Sequence, residues 1–147
     1  MHKKKEPKKI YVASSRRVML VLMSLSTIYQ YMYSSLFSSA LGMLPVFGTP
    51  YLAAMAESAA MTCLQSFLEK GYGSVGTHLD ISHDAPTPIG MKVYVEAEIT
   101  AVSENGKMID FAVKAWDEKG PIGAGTHTRA IITNDRFLSK CNSKLEK

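Results

Sequence analysis

Glu57 is the only charged residue between Arg17 and Glu69. It sits in Ala56-Glu57-Ser58-Ala59-Ala60, inside a stretch otherwise built of small and apolar residues. Burying a carboxylate without partners is expensive or raises its pKa. Such a residue therefore either lies on the solvent side of its element or is held in a cleft for acid–base or nucleophilic work. A second candidate, His83, follows an alternating segment and precedes residues 84–90 (DAPTPIG). An imidazole titrating near neutrality can move protons there; the plain alternative is an exposed residue at a loop edge. Thr49, before Pro50, is first of all a helix cap. His127 and Arg129 share one face of the last strand, where a guanidinium can meet a phosphate or a carboxylate.

Two other patterns do not carry the chemistry they suggest. Residues 71–76 (GYGSVG) match G-x-G-x-x-G, but a dinucleotide fingerprint needs a strand before it and a helix after it. Here the order is reversed. His78, Asp80, His83 and Asp84 invite a metal, yet in a strand His78 and Asp80 share a face while His83 points the other way, so a converging ligand set is not expected.

The elements that must position these residues are readable from residue 47 onward. Thr49-Pro50 is a helix start, with Thr49 as N-cap and proline at the first helical position. Leu52, Ala56, Ala59, Ala60, Cys63, Leu64, Phe67 and Leu68 recur at three- and four-residue spacing, and Gly71 ends the pattern. The predicted helix is about 20 residues long, or about 30 Å. Ala53, Ala54, Ala56, Ala59 and Ala60 fill its first half, and such small side chains let a second layer approach closely. The remainder reads as strand. Val75, Thr77, Leu79 and Ile81 alternate with polar neighbours, as do Met91, Val93, Val95, Ala97, Ile99 and Ala101. Asn105-Gly106 predicts a tight hairpin whose two central residues both take positive φ. Ile109, Phe111, Val113 and Ala115 form the return strand, Lys119-Gly120-Pro121 turns the chain, and residues 122–133 form the last strand. A long helix laid across a strongly curved antiparallel sheet is an α+β architecture, and one such half is expected to pair into a dimer.

Bulk numbers remove several function classes. At 147 residues the chain forms one domain by size. Its net charge of +4 belongs to one end: residues 1–17 hold seven Lys/Arg and one acid, whereas the other 130 hold ten Lys/Arg against twelve acids. The folded part thus shows no electrostatic case for binding nucleic acid. The basic start followed by residues 18–25 (VMLVLMSL) resembles an export signal, but serines, a threonine and a glutamine interrupt it before the roughly 20 apolar residues that a spanning helix needs. A buried or loosely attached helix is the preferred expectation, with membrane contact through this segment as the alternative. Cys63 and Cys141 form no disulfide framework and suit a reducing, cytoplasmic setting. Nothing signals a metal or redox cofactor.

Four blocks together carry a resemblance. Val46-Phe47-Gly48-Thr49-Pro50, Ala56-Glu57-Ser58-Ala59-Ala60-Met61, residues 76–91 (GTHLDISHDAPTPIGM) and residues 122–129 (IGAGTHTR) resemble the fluoroacetyl-CoA thioesterase-like family of hot-dog proteins. The resemblance covers residues 41–138, leaving 1–40 as an atypical basic and then apolar N-terminal segment and 139–147 as a polar C-terminal tail. It implies a hot-dog fold, a long central helix wrapped by a curved antiparallel sheet, and a homodimer. It further implies a catalytic Thr49, Glu57 and His83, with Gly76, Phe47 and Arg129 at the substrate. Met43 stands where the fluoroacetate-specific member carries an aromatic lid residue, so selectivity for fluoroacetyl groups does not carry over. The first sheet strand that this fold needs is not visible in residues 1–40.

The implied activity is hydrolysis of a small acyl-CoA thioester. The alternatives are a non-catalytic acyl-CoA-binding module and a hot-dog hydratase or dehydratase. Thioester hydrolysis needs an activated oxygen nucleophile, an acid–base group and donors aimed at the developing oxyanion, which Glu57, His83 and a backbone N–H near Gly76 can supply. One geometric constraint is already visible. Eight helical residues separate Thr49 from Glu57 by about 12 Å along the axis, so contact between them needs a non-helical first turn or a site shared between subunits.

Overall fold

The computed structural model describes the backbone of residues 18–22, residue 42, and residues 44–146. Residues 1–17, with their basic cluster, residues 23–41, and Met43 lie outside the described residues. The elements run β1 (Val18–Leu22), α1 (Thr49–Gln65), β2 (Tyr72–Ile81), β3 (Val93–Val102), β4 (Met108–Asp117), β5 (Pro121–Thr133) and α2 (Asn134–Asn142), followed by a 3₁₀ turn (Ser143–Leu145). The five strands form one antiparallel sheet in the order β1-β3-β4-β5-β2. Helix α1 packs on this sheet, and the architecture is α+β as expected.

Residues 18–22 correct the expectation of a helix at the N-terminal side. They form an edge strand whose Val18 pairs with Glu98 and whose Leu22 pairs with Tyr94 of β3. A five-residue apolar run with two β-branched valines is short for a helix and long enough for a strand. The unpaired edge of β3 supplies the hydrogen-bonding partner. This strand is the sheet element missing from the sequence reading.

Helix α1 is 17 residues long, shorter than the periodicity predicts. It closes on Ser66 in the right-handed helical region, and the Phe67 amide bonds to the Leu64 carbonyl at 2.8 Å. Phe67 and Leu68 then turn back onto the core outside the helix. Gly71, at φ +90°, opens β2 instead of capping α1, a conformation that glycine adopts without penalty. The buried face of α1 is Leu52, Met55, Ala56, Ala59, Ala60, Cys63 and Leu64. The three alanines are fully shielded, which brings the helix backbone close to the sheet. Opposite them lie Val93, Val95, Ala97 and Ile99 of β3 and Ile109, Phe111, Val113 and Ala115 of β4. Removing one large member of such a core costs about 3–5 kcal/mol for a phenylalanine, so Phe111, with no exposed surface, is a principal anchor.

Three register shifts interrupt the sheet, one of them at Ile122 in β5, and the other two break the strict alternation read from the sequence. In β3 the register shifts at Thr100, so Ala101 is exposed and Val102 packs against the core in its place. In β2 the register shifts at Thr77: Gly76 pairs with Arg129 but His78 pairs with Thr128. The extra residue changes which parity faces the helix. Ser74 and Gly76 face it before the bulge, and Leu79 and Ile81 after it. Thr77 is exposed, against expectation, and its hydroxyl bonds to the Thr128 carbonyl.

The β3–β4 hairpin forms where predicted, but not as a two-residue turn. Only Gly106 has positive φ. The Ser103 hydroxyl accepts the Met108 amide at 2.9 Å and the Asn105 side-chain oxygen accepts the Lys107 amide at 3.0 Å, which holds a wider loop.

Candidate active site

Thr49 does not cap its helix. Gly48 occupies the N-cap position with no side-chain capping bond, and the Thr49 hydroxyl lies 2.9 Å from His83 Nδ1. The helix start and the loop after β2 are thereby joined by one proton shared between a hydroxyl and an imidazole. The Phe47 ring stands edge-on to His83, with centroids 6.0 Å apart and planes at 73°. Residues 46–49 and 83–86 wall an open cleft of about 300 Å³ at this contact. His83 Nε2 is shielded from solvent and has no hydrogen-bond partner among the described residues.

The loop that carries His83 is tied down from below. The Asp84 amide bonds to the Ile122 carbonyl at 2.7 Å, and the Phe47 amide bonds to the Thr87 carbonyl at 2.9 Å. The fully buried Thr87 donates its hydroxyl to Asp117 Oδ2 at 2.8 Å. Asp117 also accepts the Lys119 and Gly120 amides in the β4–β5 turn. The Lys119 amide first, and the Thr87 hydroxyl second, hold the Asp117 carboxyl below its ordinary range. Sequence reading passed over Thr87 and Asp117 because a threonine in a loop and an aspartate in a turn are what those positions usually hold.

A second polar cluster lies farther along α1, where Glu57 meets β2 and β5. Glu57 is only partly shielded from solvent. Its Oε2 accepts a hydrogen bond from Arg129 Nη1, and its Oε1 lies over the Cα of Gly76, where an added methyl group would collide with it. A side chain at 76 would push this carboxylate aside. Arg129 also donates from Nε to the Ser74 hydroxyl and from Nη2 to the Ser74 carbonyl, each at 2.9 Å. His127 Nε2 lies 3.2 Å from Arg129 Nη1 and 3.7 Å from Glu57 Oε2. The Arg129 side chain is 5% exposed and that of His127 0%, while Glu57 keeps 42% of its side chain accessible. The arginine is thus committed to the protein, and the carboxylate is anchored at one oxygen with a wet side remaining.

Of the residues singled out from sequence, the structure joins Thr49, His83 and Phe47 in one place and Glu57, Gly76 and Arg129 in another. The two places are separated by the seven residues of α1 between Thr49 and Glu57, and no hydrogen bond or ion pair is formed between Thr49 or His83 and Glu57 among the described residues. Met43 lies outside the described residues. Ser74 and the inward role of His127 were missed. The shared face of His127 and Arg129 was a usable signal, whereas the placement of Ser74 depends on the bulge at Thr77. His78 and Asp80 are exposed, whereas His83 turns toward Thr49.

This arrangement occurs on a fold with known relatives. The fluoroacetyl-CoA thioesterase of Streptantibioticus cattleyicolor is 37% identical over 99 residues, which is 67% of this chain and 70% of that protein. A threonine-to-alanine variant of fluoroacetyl-CoA thioesterase, in complex with fluoroacetate, superposes with a TM-score of 0.76 at 29% identity, covering 88% of this chain and 96% of that one. A hot-dog-like protein from Thermanaerovibrio acidaminovorans shares the fold at a TM-score of 0.72 and 20% identity, covering 94% of this chain and 96% of that one. Residues 32–135 match the family described as fluoroacetyl-CoA-specific thioesterase; with the sequence identity above, the chain belongs to that family of hot-dog proteins.

Proposed function

We propose that this protein hydrolyses a small acyl-CoA thioester to the free acid and CoA, with Glu57, His83 and Thr49 as its reacting and orienting groups. The observation that carries the reading is the Glu57 carboxylate, fixed at one oxygen by Arg129 and half-exposed above the bare backbone of Gly76, in a member of a thioesterase family. Glu57 takes a proton from water as the water oxygen bonds to the thioester carbonyl carbon. A backbone N–H near Gly76 meets the developing oxyanion. Collapse breaks the C–S bond, and His83 gives a proton to the departing thiolate. Glu57 then releases its proton to solvent and His83 takes one back, so one water is consumed and one acid and one thiol are formed. Thr49 orients His83 through the bond to Nδ1, and Phe47 lines the acyl side of the cleft.

The separation of Thr49 from Glu57, about 12 Å along the helix, supports a homodimer in which Glu57 of one subunit serves Thr49 and His83 of the other. Strand β2 ends the sheet order, so its outer edge is available for pairing, as sheet edges tend to be used. Residues 41–138 act as the thioesterase unit, to which β1 adds an edge strand and whose end lies within α2. A methionine at 43, where the fluoroacetate-specific member has an aromatic residue, argues for a small acyl group without fluorine selectivity. Cys63 in the core and the exposed Cys141 are thiols, which suits the cytoplasm. Among the described residues no helix is long and apolar enough to cross a membrane.

A thiol-release assay over a panel of acyl-CoA esters tests the activity. Glu57→Gln and His83→Ala should each lower kcat by about 10³-fold while leaving the circular dichroism spectrum unchanged; full turnover in both variants would falsify the reading. Acyl-CoA affinity without thiol release identifies a binding module instead, and water addition across an enoyl-CoA identifies a hydratase. Mixing Thr49→Ala with Glu57→Gln subunits separates shared from single-chain sites. Only a shared site regains turnover in the mixed dimer.

A further inference from the structure

His127 has no exposed side-chain surface, and its ring lies nearly parallel to Phe111, with centroids 6.2 Å apart and planes at 29°. Its two nitrogens meet opposite demands. Nδ1 is 2.7 Å from the His78 carbonyl oxygen, which only accepts, so Nδ1 carries a hydrogen. Nε2 faces Arg129 Nη1 at 3.2 Å, and a guanidinium only donates, so Nε2 presents its lone pair. With an acceptor facing Nδ1, a donor facing Nε2 and Glu57 Oε2 farther off at 3.7 Å, these partners suit the tautomer that carries its hydrogen on Nδ1. Protonating Nε2 would set an N–H against an N–H in a buried site.

The consequence falls on Arg129. Its Nε and Nη2 are held by Ser74, and its Nη1 is shared among Glu57 Oε2, the Glu57 carbonyl at 3.4 Å and His127 Nε2. Ser74 fixes the far side of the guanidinium. His127 fixes the side from which Glu57 hangs.

We propose that His127 is a positioning residue for hydrolysis: as a neutral Nδ1–H imidazole it holds Arg129 Nη1 so that Glu57 is clamped by Oε2 and presents Oε1, above Gly76, as its reactive oxygen. The inference rests on the reading of Glu57 as the group that acts at the thioester. His127 touches no reacting atom in this scheme and acts only through Arg129.

Two substitutions separate the duties of the ring. His127→Gln keeps an acceptor near the Nε2 position and loses the bond to the His78 carbonyl. His127→Asn keeps a donor near Nδ1 and loses the acceptor for Arg129. If the role is positioning, Asn lowers kcat by about 100-fold, the effect of displacing a reacting group by about 1 Å, with KM little changed. Gln then retains most of kcat although it breaks the backbone bond. Equal losses in the two variants, or losses that follow KM or Tm instead of kcat, overturn the proposal. Nitrogen-15 spectra of histidine-labelled wild-type protein need no substitution: the His127 signals should be those of a neutral ring protonated at Nδ1, and a ring protonated at Nε2 at neutral pH overturns it as well. Glu57→Gln, assayed beside these, keeps the two claims apart. An active Glu57→Gln removes the reading of the reaction, whereas an inactive one with indistinguishable Asn and Gln variants at 127 removes only the role of His127.

Discussion

The two polar clusters are built on opposite principles. At the mouth of the cleft Thr49 and His83 hold each other by one hydrogen bond, with His83 Nε2 left without a partner among the described residues. Under the helix, Glu57, Arg129, His127 and Ser74 interlock so that the arginine is spent on the protein from three sides. A group that must exchange protons is kept loosely tied, and a group that must keep its place is over-determined. The closed cluster draws its geometry from α1, β2 and β5 together, while the open one borrows rigidity from the Thr87–Asp117 bond beneath its loop. Loss of the arginine that ties the first together should therefore appear as lost stability and lost rate at once. Damage to the second should appear as lost rate alone.

The strongest test of that contrast is Arg129→Ala. It leaves Glu57 and His127 facing each other without the cation between them, and breaking a buried pair by removing one partner costs about 3–5 kcal/mol. Since Glu57 retains 42% of its side-chain exposure, water relieves part of this, and a loss of about 2–3 kcal/mol is expected in urea unfolding. Wild-type stability in this variant would erase the distinction between the clusters. Next comes Gly76→Ala. Its added methyl would collide with Glu57 Oε1, so the carboxylate must swing aside, and kcat should fall about 100-fold with a stability change of no more than about 1 kcal/mol. Thr49→Ala probes the open cluster: a Tm close to wild type is expected, since exposed sites change stability by about 0.5 kcal/mol or less, together with a roughly tenfold loss of turnover from a poorly oriented acid.

The smallest effect concerns acid. Asp117 has a lowered pKa in the folded chain, so the unfolded chain takes up its proton first as the pH falls. Its contribution to stability is complete above the ordinary carboxylate range and is lost as the pH drops through that range toward the lowered native value. Thr87→Val removes one cause of the lowering, so unfolding curves recorded below about pH 4 should depend less steeply on pH than those of the wild type. An unchanged acid limb would detach Asp117 from the loop it is assigned to hold.

Much of this was legible before the structure. The core strands announced themselves because Ile109, Phe111, Val113 and Ala115 alternate without interruption, and all four are buried. Glu57 stood out on charge alone. What escaped notice depends on contacts between distant segments. Thr49 reads locally as a cap, and only the approach of residue 83 gives its hydroxyl a better partner. The N-terminal apolar run reads as a helix or a leader until the unpaired edge of β3 is there to receive it. Ala101 reads as core until a bulge at Thr100 turns it outward. Ser74 has no signal of its own, because its partner lies 55 residues away.

The extra residue at Thr77 sets a limit on how this chemistry can be moved or edited. Gly76 belongs to an even-numbered frame, and Leu79, Ile81 and, just beyond the strand, His83 to an odd-numbered one; a single irregularity reconciles the two. On a regular strand two residues at that odd spacing would face opposite ways. Removing Thr77 alone would straighten the strand and keep both groups on the side of α1, whereas removing two residues would turn one of them outward. Whoever transplants this site into another sheet must carry the irregularity along, or shorten the stretch by the one residue it absorbs.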